Sequence, residues 1–412
     1  MDFPPLSIDD TAPLPVRRPA TAAELCALVR EAAASGQGVY PVGGRTALDV
    51  GLPPLKPGFA VETTALDGVI DYPARDMTIT VEAGITLAKL QATLATENQW
   101  LPVDVPHPDR ATLGGAVALN QSGPRRYGYG TLRDYVIGIS FVTDDGDEVK
   151  AGGRVVKNVA GYDLMKLHTG AVGTLGAVTR LTLKVKPRPE AMALVTFACG
   201  SNVSGLLDRL HESKSRPVAV QLLNPAAARR VGLGRGFGLV VGFEEKAATV
   251  EWQVATLLAE LAGTPAIDPV ELRAPDADRL WAALNGLQAC PESRLIFKVS
   301  TRPSRVASYF ARSAAGGPDL LFAEALSGIV WGAAADSDPA EAMTPDRLES
   351  LIHSPSGTAD GAHVTVRRCP PAWKATLPVW GRPAADRELM RHVKRTLDPG
   401  NVFNPGRLFG DL

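Results

Sequence analysis

The stretch 155–185, VVKNVAGYDLMKLHTGAVGTLGAVTRLTLKV, places four glycines just before an alternating run rich in β-branched residues. Such a run predicts a β-strand from Ala177 to Val185. The common dinucleotide fingerprint has another order, in which a strand precedes G-x-G-x-x-G and a helix follows it. Here Gly170, Gly173 and Gly176 are spaced G-x-x-G-x-x-G. The order argues against a Rossmann turn and indicates a different use for these glycines.

The composition indicates a soluble globular protein with two or more domains. The chain has 412 residues, of which 45% are hydrophobic and 21% charged, and its formal net charge is −1. This charge argues against a nucleic-acid or anionic-membrane partner. No apolar run approaches the roughly 20 residues of a membrane span, and MDFPPLSIDDTAPLPVRRP has no hydrophobic signal core. We expect a cytoplasmic protein, with association to a membrane through partner subunits left open.

Cysteine and histidine spacing argues against a metal site. The four cysteines contain no C-x-x-C pair, and the two nearest histidines, His353 and His363, are ten residues apart. Zinc sites and disulfide frameworks need closer or more regular spacings. We therefore expect no bound metal.

The order of the predicted elements changes near Pro187-Arg188-Pro189, which has the composition of a linker. Before it, residues 16–42 predict a strand, a helix and a strand, and Asp145-Gly146 predicts the turn of a β-hairpin. Thr21 and Glu24 have the spacing of a capping box at the helix start. After it, residues 193–273 and 293–368 each predict β-α-β-β-α-β, with a helix over 276–287 between them. Two such ferredoxin-like halves would form one antiparallel sheet covered by helices on one face.

Three glycine loops are candidates for binding an anion through backbone N–H groups. They are PVGGRT (41–46), ATLGGAVALNQSG (111–123) and HTGAVGTLG (168–176). None has the lysine or acidic pair of a Walker motif, so a long ligand with a central pyrophosphate fits better than a nucleoside triphosphate. The alternative is that all three are tight turns in a glycine-rich chain.

Residues 41–189 resemble the FAD-binding domain of the vanillyl-alcohol oxidase (PCMH-type) flavoprotein family. ATLGGAVALNQSGPRRYGYGTLRDYVIGI and KNVAGYDLMKLHTGAVGTLGAVTRLTLKV are most similar to its subfamily of glycolate oxidase FAD-binding subunits, and LDPGNVFNPGRL resembles the tail of FAD-linked hydroxy-acid oxidases. The resemblance implies an α+β fold: a two-lobed PCMH-type FAD-binding domain over 1–188, a cap domain over 189–380 with the antiparallel sheet, and a C-terminal helix and tail over 381–412 that return to the FAD domain.

The resemblance also implies FAD as cofactor and a set of cofactor-binding positions. The first loop would surround the pyrophosphate, the second would line ribose and diphosphate, the third would face the adenine end, and the tail would return toward the isoalloxazine. The positions are Val42, Gly43, Gly44, Arg45, Thr46, Thr112, Leu113, Gly114, Gly115, Gly123, Gly128, Gly161, Tyr162, Asp163, Gly170, Gly173, Thr174, Gly176, Val178 and Asn404.

The sequence departs from the family in two places. Gly43-Gly44-Arg45-Thr46 has no histidine where covalent family members attach the flavin, so we expect non-covalent FAD. The cap has only the unclustered His211, His353 and His363, whereas the hydroxy-acid dehydrogenases carry a histidine-rich metal and substrate motif there. The cations available for a substrate carboxylate, or the base for its hydroxyl proton, are Arg125, Arg126, Arg382 and His392. No catalytic base is assigned.

The leading functional hypothesis is an FAD-binding subunit of a glycolate (2-hydroxy-acid) oxidase complex. It implies a second FAD subunit and an iron–sulfur subunit as partners. Two alternatives stay open: a self-sufficient FAD oxidoreductase for another hydroxy acid or alcohol, and a structural subunit with a vestigial FAD site.

Overall fold

The computed structural model describes residues 4–154, 161–200, 203–234, 236–263, 268–313, 319–334, 362–381 and 385–412. The chain divides into two compact units. The first contains Met1–Ser122, Thr131–Arg188 and Pro383–Leu412, and the second contains Gly123–Gly130 and Pro189–Arg382. The segment 123–130 thus packs with the second unit, although it lies within the 1–188 range assigned to the FAD domain from sequence.

The first sheet of the first unit is parallel and has three strands. These are β1 (Val16–Arg17), β2 (Gly38–Val42) and β3 (Gly58–Glu62), in the order β1-β3-β2. Helix α1 (Ala22–Ser35) begins at Thr21, whose side chain accepts a hydrogen bond from the Glu24 amide, as the capping pattern predicts. Leu25 and Val29 of this helix pack against Val39 and Phe59 of the sheet. The predicted strand–helix–strand start is confirmed.

The second sheet of the first unit is antiparallel and has five strands. They are β4 (Val69–Asp71), β5 (Thr78–Glu82), β7 (Val136–Val142), β8 (Glu148–Gly152) and β9 (Ala177–Lys184), in the order β4-β5-β9-β7-β8. Short strands β6 (Gln99–Trp100) and β10 (Lys186–Pro187) pair separately. The unit also contains helices α2 (Leu87–Ala95), α3 (Leu113–Leu119), α5 (Leu132–Tyr135), α6 (Leu164–His168) and α12 (Arg387–Leu397). The predicted hairpin (β7–β8) and the predicted strand after the third glycine loop (β9) are both present.

The second unit is built on one eight-stranded antiparallel sheet. Its strands are β11 (Ala191–Cys199), β12 (Ala219–Leu223), β13 (Phe237–Glu245), β14 (Pro269–Leu272), β15 (Leu295–Ser300), β16 (Leu320–Glu324), β17 (Ile329–Ala334) and β18 (His363–Arg368). Its helices are α4 (Arg126–Tyr129), α7 (Ser204–Glu212), α8 (Pro225–Arg230), α9 (Ala247–Leu261), α10 (Asp276–Gly286) and α11 (Val306–Ser313).

The strand order of this sheet is β14-β11-β13-β12-β16-β17-β15-β18. It places the two β-α-β-β-α-β halves side by side, joined where β12 pairs with β16 at Gln221 and Glu324. This is the arrangement predicted from sequence. The second helix of the second half, predicted around 345–353, lies outside the described residues.

The expectation that helices cover only one face of this sheet is wrong. Helices α8 and α10 share a core with Leu194, Val240 and Trp331 on one face. Neighbouring strand residues point to the opposite face, and there Val195 and Val241 are also fully buried. Because α8 lies within the first half and α10 between the halves, the repeat pattern alone did not reveal this second layer.

Candidate functional site

The first glycine loop turns sharply where β2 ends. A Cβ atom on Gly43 would lie 2.0 Å from the Thr112 side-chain oxygen, and one on Gly44 would lie 1.6 Å from the Arg110 carbonyl oxygen. A side chain at Gly44 would require the backbone to move, and one at Gly43 would displace the Thr112 side chain. The two glycines therefore allow the loop to lie directly against the segment that leads into α3.

The same loop presents unused backbone donors. Within the described parts of the chain, the amides of Gly44, Arg45, Thr46 and Ala47 donate to no protein acceptor. Arg45 has a positive φ of 57°, which bends successive N–H groups out of a regular path. A run of exposed amides in such a turn is a site for an anion.

The two glycines of the second loop have different roles. The Gly114 amide donates to the Ala83 carbonyl at 2.7 Å, and a Cβ on Gly114 would lie 2.9 Å from Ala83. Gly115 is held by the side chain of Thr112, which caps α3, and a Cβ there would meet only the Thr112 oxygen, at 3.1 Å. Gly114 thus serves packing, whereas Gly115 keeps space open beside the first loop.

The third loop docks on the end of α3. The amides of Gly170 and Val172 donate to the carbonyls of Val117 and Ala118 at 3.0 and 2.8 Å. Val172 has a φ of +56°, which is strained for a β-branched residue and is held only where the surroundings dictate it. Such strain is common at binding sites.

The C-terminal tail completes the wall. The backbone N–H of Asn404 donates to the Val39 carbonyl at 2.9 Å, and the Asn404 side-chain nitrogen donates to the Val172 carbonyl at 2.7 Å. Arg407 is 5% exposed and donates to the carbonyls of Leu48 and Val50. The tail therefore fastens the third loop, β2 and the segment that follows the first loop.

These elements line a cavity in the first unit that is open to solvent; its empty space, counted with the adjoining solvent, is about 690 Å³. Eight of the predicted cofactor-binding residues line it: Val42, Gly43, Gly44, Arg45, Thr46, Thr112, Gly115 and Asn404. Sequence reasoning missed others, among them Tyr40, Gln121, Val172 and Arg407. No histidine or cysteine is among the lining residues in the described part of the chain.

The cavity's two arginines are already paired. Arg45 contacts Glu62 at 2.7 Å, and Arg407 contacts Asp9 at 3.1 Å. Burial lowers the pKa of Arg407, while the Asp9 carboxylate opposes this shift. Because both cations have carboxylate partners, a diphosphate here would depend mainly on the backbone amides. The open glycine surface and the unused amides fit the central part of FAD.

The other predicted cofactor residues lie elsewhere. Leu113 is fully buried, and Gly170, Gly173, Thr174, Gly176 and Val178 belong to the third loop and β9 without lining the cavity. Tyr162 is 89% exposed, Asp163 caps α6 and pairs with Lys166, and a Cβ on Gly161 would meet nothing within 4 Å. Gly123 and Gly128 pack with the second unit, where a Cβ on Gly128 would lie 2.6 Å from the Val218 Cα.

His168, which the sequence did not single out, is buried beside the third loop. It is 4% exposed, its Nε2 has no hydrogen-bond partner within the described residues, and its ring lies 3.9 Å from that of Phe141. Burial lowers the pKa of His168 to about 4. It is therefore neutral at neutral pH.

In the second unit, Arg125 already has a carboxylate partner. Its guanidinium contacts the Glu244 carboxylate through two nitrogens, at 2.7 and 3.0 Å, and stacks on Trp281 at 3.9 Å. Burial, helped by Glu244, raises the pKa of Tyr129 above its usual range. The SGPRRYGYG segment is thus anchored to the sheet.

A second polar cluster lies on the sheet of this unit, and sequence reasoning did not predict it. Burial and the Arg126 charge lower the pKa of Lys298 to about 8, while Glu324 opposes the shift. The Lys298 side chain makes no hydrogen bond in the described structure, and its Nζ lies 5.8 Å from the Trp331 ring. Gln221 is 3% exposed, with an unpartnered side-chain nitrogen. The one sequence signal is a lysine within the apolar strand LIFKVS.

The remaining candidates give no assembled catalytic group. His392 lies on α12 of the first unit, whereas Arg382 and His353 are outside the described residues. No set of three His, Cys, Asp or Glu side chains in the described ranges could hold a metal. Nor is any helix in those ranges long and apolar enough to cross a membrane.

Comparison with known proteins agrees with this geometry. Residues 13–152 match the model of the FAD binding domain, and residues 382–408 match that of the C-terminal domain of FAD linked oxidases. The glycolate oxidase subunit GlcE of Escherichia coli (strain K12) is 42% identical over 125 residues, which are 30% of this chain and 36% of that protein. A D-2-hydroxyglutarate dehydrogenase of Xanthomonas citri pv. viticola is 27% identical, over 96% of this chain and 89% of its own length.

The fold also matches a solved structure. The 4-ethylphenol oxidase from Gulosibacter chungangensis aligns with 95% of this chain and 88% of its own, at a TM-score of 0.70 and 14% identity. The two matched segments are thus those of an FAD binding domain and of the C-terminal domain of FAD linked oxidases, and the chain has the fold of these FAD-dependent oxidoreductases. Its cofactor is FAD. The resemblance to GlcE itself covers only part of either protein.

Proposed function

We propose that this chain is the FAD-binding subunit of a complex that oxidises glycolate or another 2-hydroxy acid, in which it takes part in flavin-mediated electron transfer. The cavity in the first unit supports a competent, non-covalent FAD site, because its loop amides are unused and no histidine or cysteine is among the described residues that line it. The subunit role rests on the similarity to the E. coli glycolate oxidase subunit. The partners would be a second FAD subunit and an iron–sulfur subunit.

The observation that favours a subunit over a self-sufficient enzyme is that the described residues contain no assembled set of catalytic groups. Oxidation of a hydroxy acid needs a base for the hydroxyl proton and cations for the carboxylate, and bound FAD would supply the hydride acceptor. Arg125 is committed to Glu244, and the described residues hold no metal-binding cluster. Without these groups the substrate is not oriented, and orientation contributes several kcal/mol of barrier reduction.

Lys298 supports a second candidate, a self-sufficient hydroxy-acid dehydrogenase. The half-buried Lys298 ammonium, which lies near Arg126, could bind a substrate carboxylate. The similarity to a D-2-hydroxyglutarate dehydrogenase along nearly the whole length favours the same candidate.

Anaerobic reduction of the bound flavin separates the candidates. The FAD-loaded chain is mixed with glycolate or D-lactate, alone and with the proposed partner subunits, and the flavin absorbance is followed. The subunit proposal predicts bleaching only with partners. Rapid, saturable bleaching by the isolated chain that is lost in Lys298→Met would contradict it and support the second candidate. A full-length chain that cannot be loaded with FAD would support a vestigial site instead.

A further inference from the structure

A buried lysine–aspartate pair connects α12 with the tail. The side chains of Lys394 and Asp398 are 2% and 0% exposed and form an ion pair. The Lys394 ammonium also donates to the carbonyls of Thr174 and Phe403, each at 2.9 Å. A lysine has three such donors, so all of them are used in holding protein groups.

Asp398 fixes the start of the tail. Its carboxylate accepts hydrogen bonds from the amides of Val402 and Phe403, both at 2.8 Å. The Val39 amide of β2 donates to the Val402 carbonyl at 2.7 Å. The carboxylate therefore sets the register in which the tail runs along β2.

Both tethered segments carry cavity residues that the pair does not touch. Thr174 lies two residues after Val172, and Phe403 immediately precedes Asn404. Both Val172 and Asn404 line the cavity, and the Asn404 side chain donates a hydrogen bond of 2.7 Å to the Val172 carbonyl. We propose that Lys394 and Asp398 are positioning residues for FAD: they hold the third loop and the tail at the separation that places Val172 and Asn404 in the cavity wall.

Stability alone does not require a charged pair at this place. Apolar residues of similar volume often replace a buried ion pair without loss of stability, whereas removing one partner leaves a costly unpaired charge. Apolar residues cannot, however, bind the Thr174 and Phe403 carbonyls or the two tail amides. The polar pair supplies these directional contacts. Burial lowers the pKa of Lys394, whereas the Asp398 carboxylate acts to raise it.

The test measures the FAD dissociation constant of the full-length apoprotein by quenching of flavin fluorescence. Lys394→Met should raise Kd at least about tenfold, which equals 1.4 kcal/mol. Lys394→Met/Asp398→Asn leaves no unpaired charge, so it should fold like the wild type and still bind FAD at least tenfold more weakly. Arg395→Met is the matched control on the same helix, because Arg395 is 55% exposed; its Kd should stay within about twofold of wild type.

A double-mutant cycle separates positioning from general loss of structure. Asn404→Ala should also weaken FAD binding about tenfold. If Lys394 acts through Asn404, Lys394→Met/Asn404→Ala should be little worse than Lys394→Met, because coupled residues are not additive. A full hundredfold, additive loss would overturn the proposal. So would wild-type affinity in the folded Lys394→Met/Asp398→Asn variant, or failure of that variant to fold, since the pair would then serve only stability.

Discussion

Replacing Gly115 by valine tests whether the second loop leaves space for FAD. A Cβ at this position meets only the Thr112 oxygen, at 3.1 Å, so the valine methyl groups extend into the cavity. The backbone is helical, and valine is no worse than glycine in a helix. The apoprotein should therefore fold normally. Extra methyl groups in a filled site cost about 1–3 kcal/mol, so Kd for FAD should rise about 5- to 140-fold.

Thermal unfolding with FAD measures this effect directly. At FAD equal to about 100 times the wild-type Kd, the wild type should gain roughly 2.7 kcal/mol. A variant with Kd raised about 100-fold should gain only roughly 0.4 kcal/mol. For a unit of this size, FAD should raise the Tm of the wild type by about 5–11 °C and that of the variant by only about 1–2 °C.

The matched control is Gly205→Val in α7 of the second unit, where a Cβ would meet nothing within 4 Å; it should keep the full FAD-dependent shift. Wild-type affinity in a folded Gly115→Val protein would show that the second loop is an ordinary turn. Gly173→Val is a poorer probe than the sequence suggested, because Gly173 has a φ of +64° and a Cβ there would lie 3.0 Å from the Asn404 side chain.

Three more predictions concern the first unit. Acid precipitation should leave all flavin in the supernatant, because no histidine or cysteine is among the described residues that line the cavity; flavin retained in the pellet would contradict a non-covalent site. Arg407→Met should destabilise the apoprotein by about 3–5 kcal/mol, because it leaves buried Asp9 without this partner; Arg391→Met, which breaks a more exposed pair with Asp411, is the control and should cost under about 1 kcal/mol. Folding lowers the pKa of His168 from 6.5 to about 4. Between pH 6.5 and 4 the unfolded state therefore binds a proton that the folded state does not. The free energy of unfolding should fall by about 3 kcal/mol over this pH range. His168→Phe should remove that part of the pH dependence, and an unchanged profile would show that His168 is not its source.

The sequence predicted the repeats of the second unit well because each element has its own periodicity and turn residues. Strand alternation and the two helix–strand repeats determine the sheet order once two equal halves join edge to edge. The layer formed by α8 and α10 was missed because its helices are inserted within or between the repeats, and nothing in their sequence shows which face they cover.

The residues that line the candidate cofactor site were predicted in part. Gly43, Gly44 and Gly115 line the cavity because their loop pattern reflects close backbone approach. Gly114 and Gly128 have the same pattern but serve packing against Ala83 and Val218, a difference that depends on distant neighbours. Lys394, Arg407 and Lys298 were missed for the same reason: their burial and partners come from segments remote in sequence, and a lysine in a charged helix has the pattern of a surface residue.

Amide hydrogen exchange of residues 43–48, followed by mass spectrometry with and without FAD, tests the backbone cradle most directly. In the apoprotein these amides should exchange rapidly, because Gly44, Arg45, Thr46 and Ala47 donate to no acceptor in the described structure. If they bind the FAD diphosphate, saturating FAD should slow their exchange markedly, while exchange in α9 of the second unit stays unchanged. Unchanged rapid exchange at 43–48 in the fully FAD-loaded protein would contradict the account.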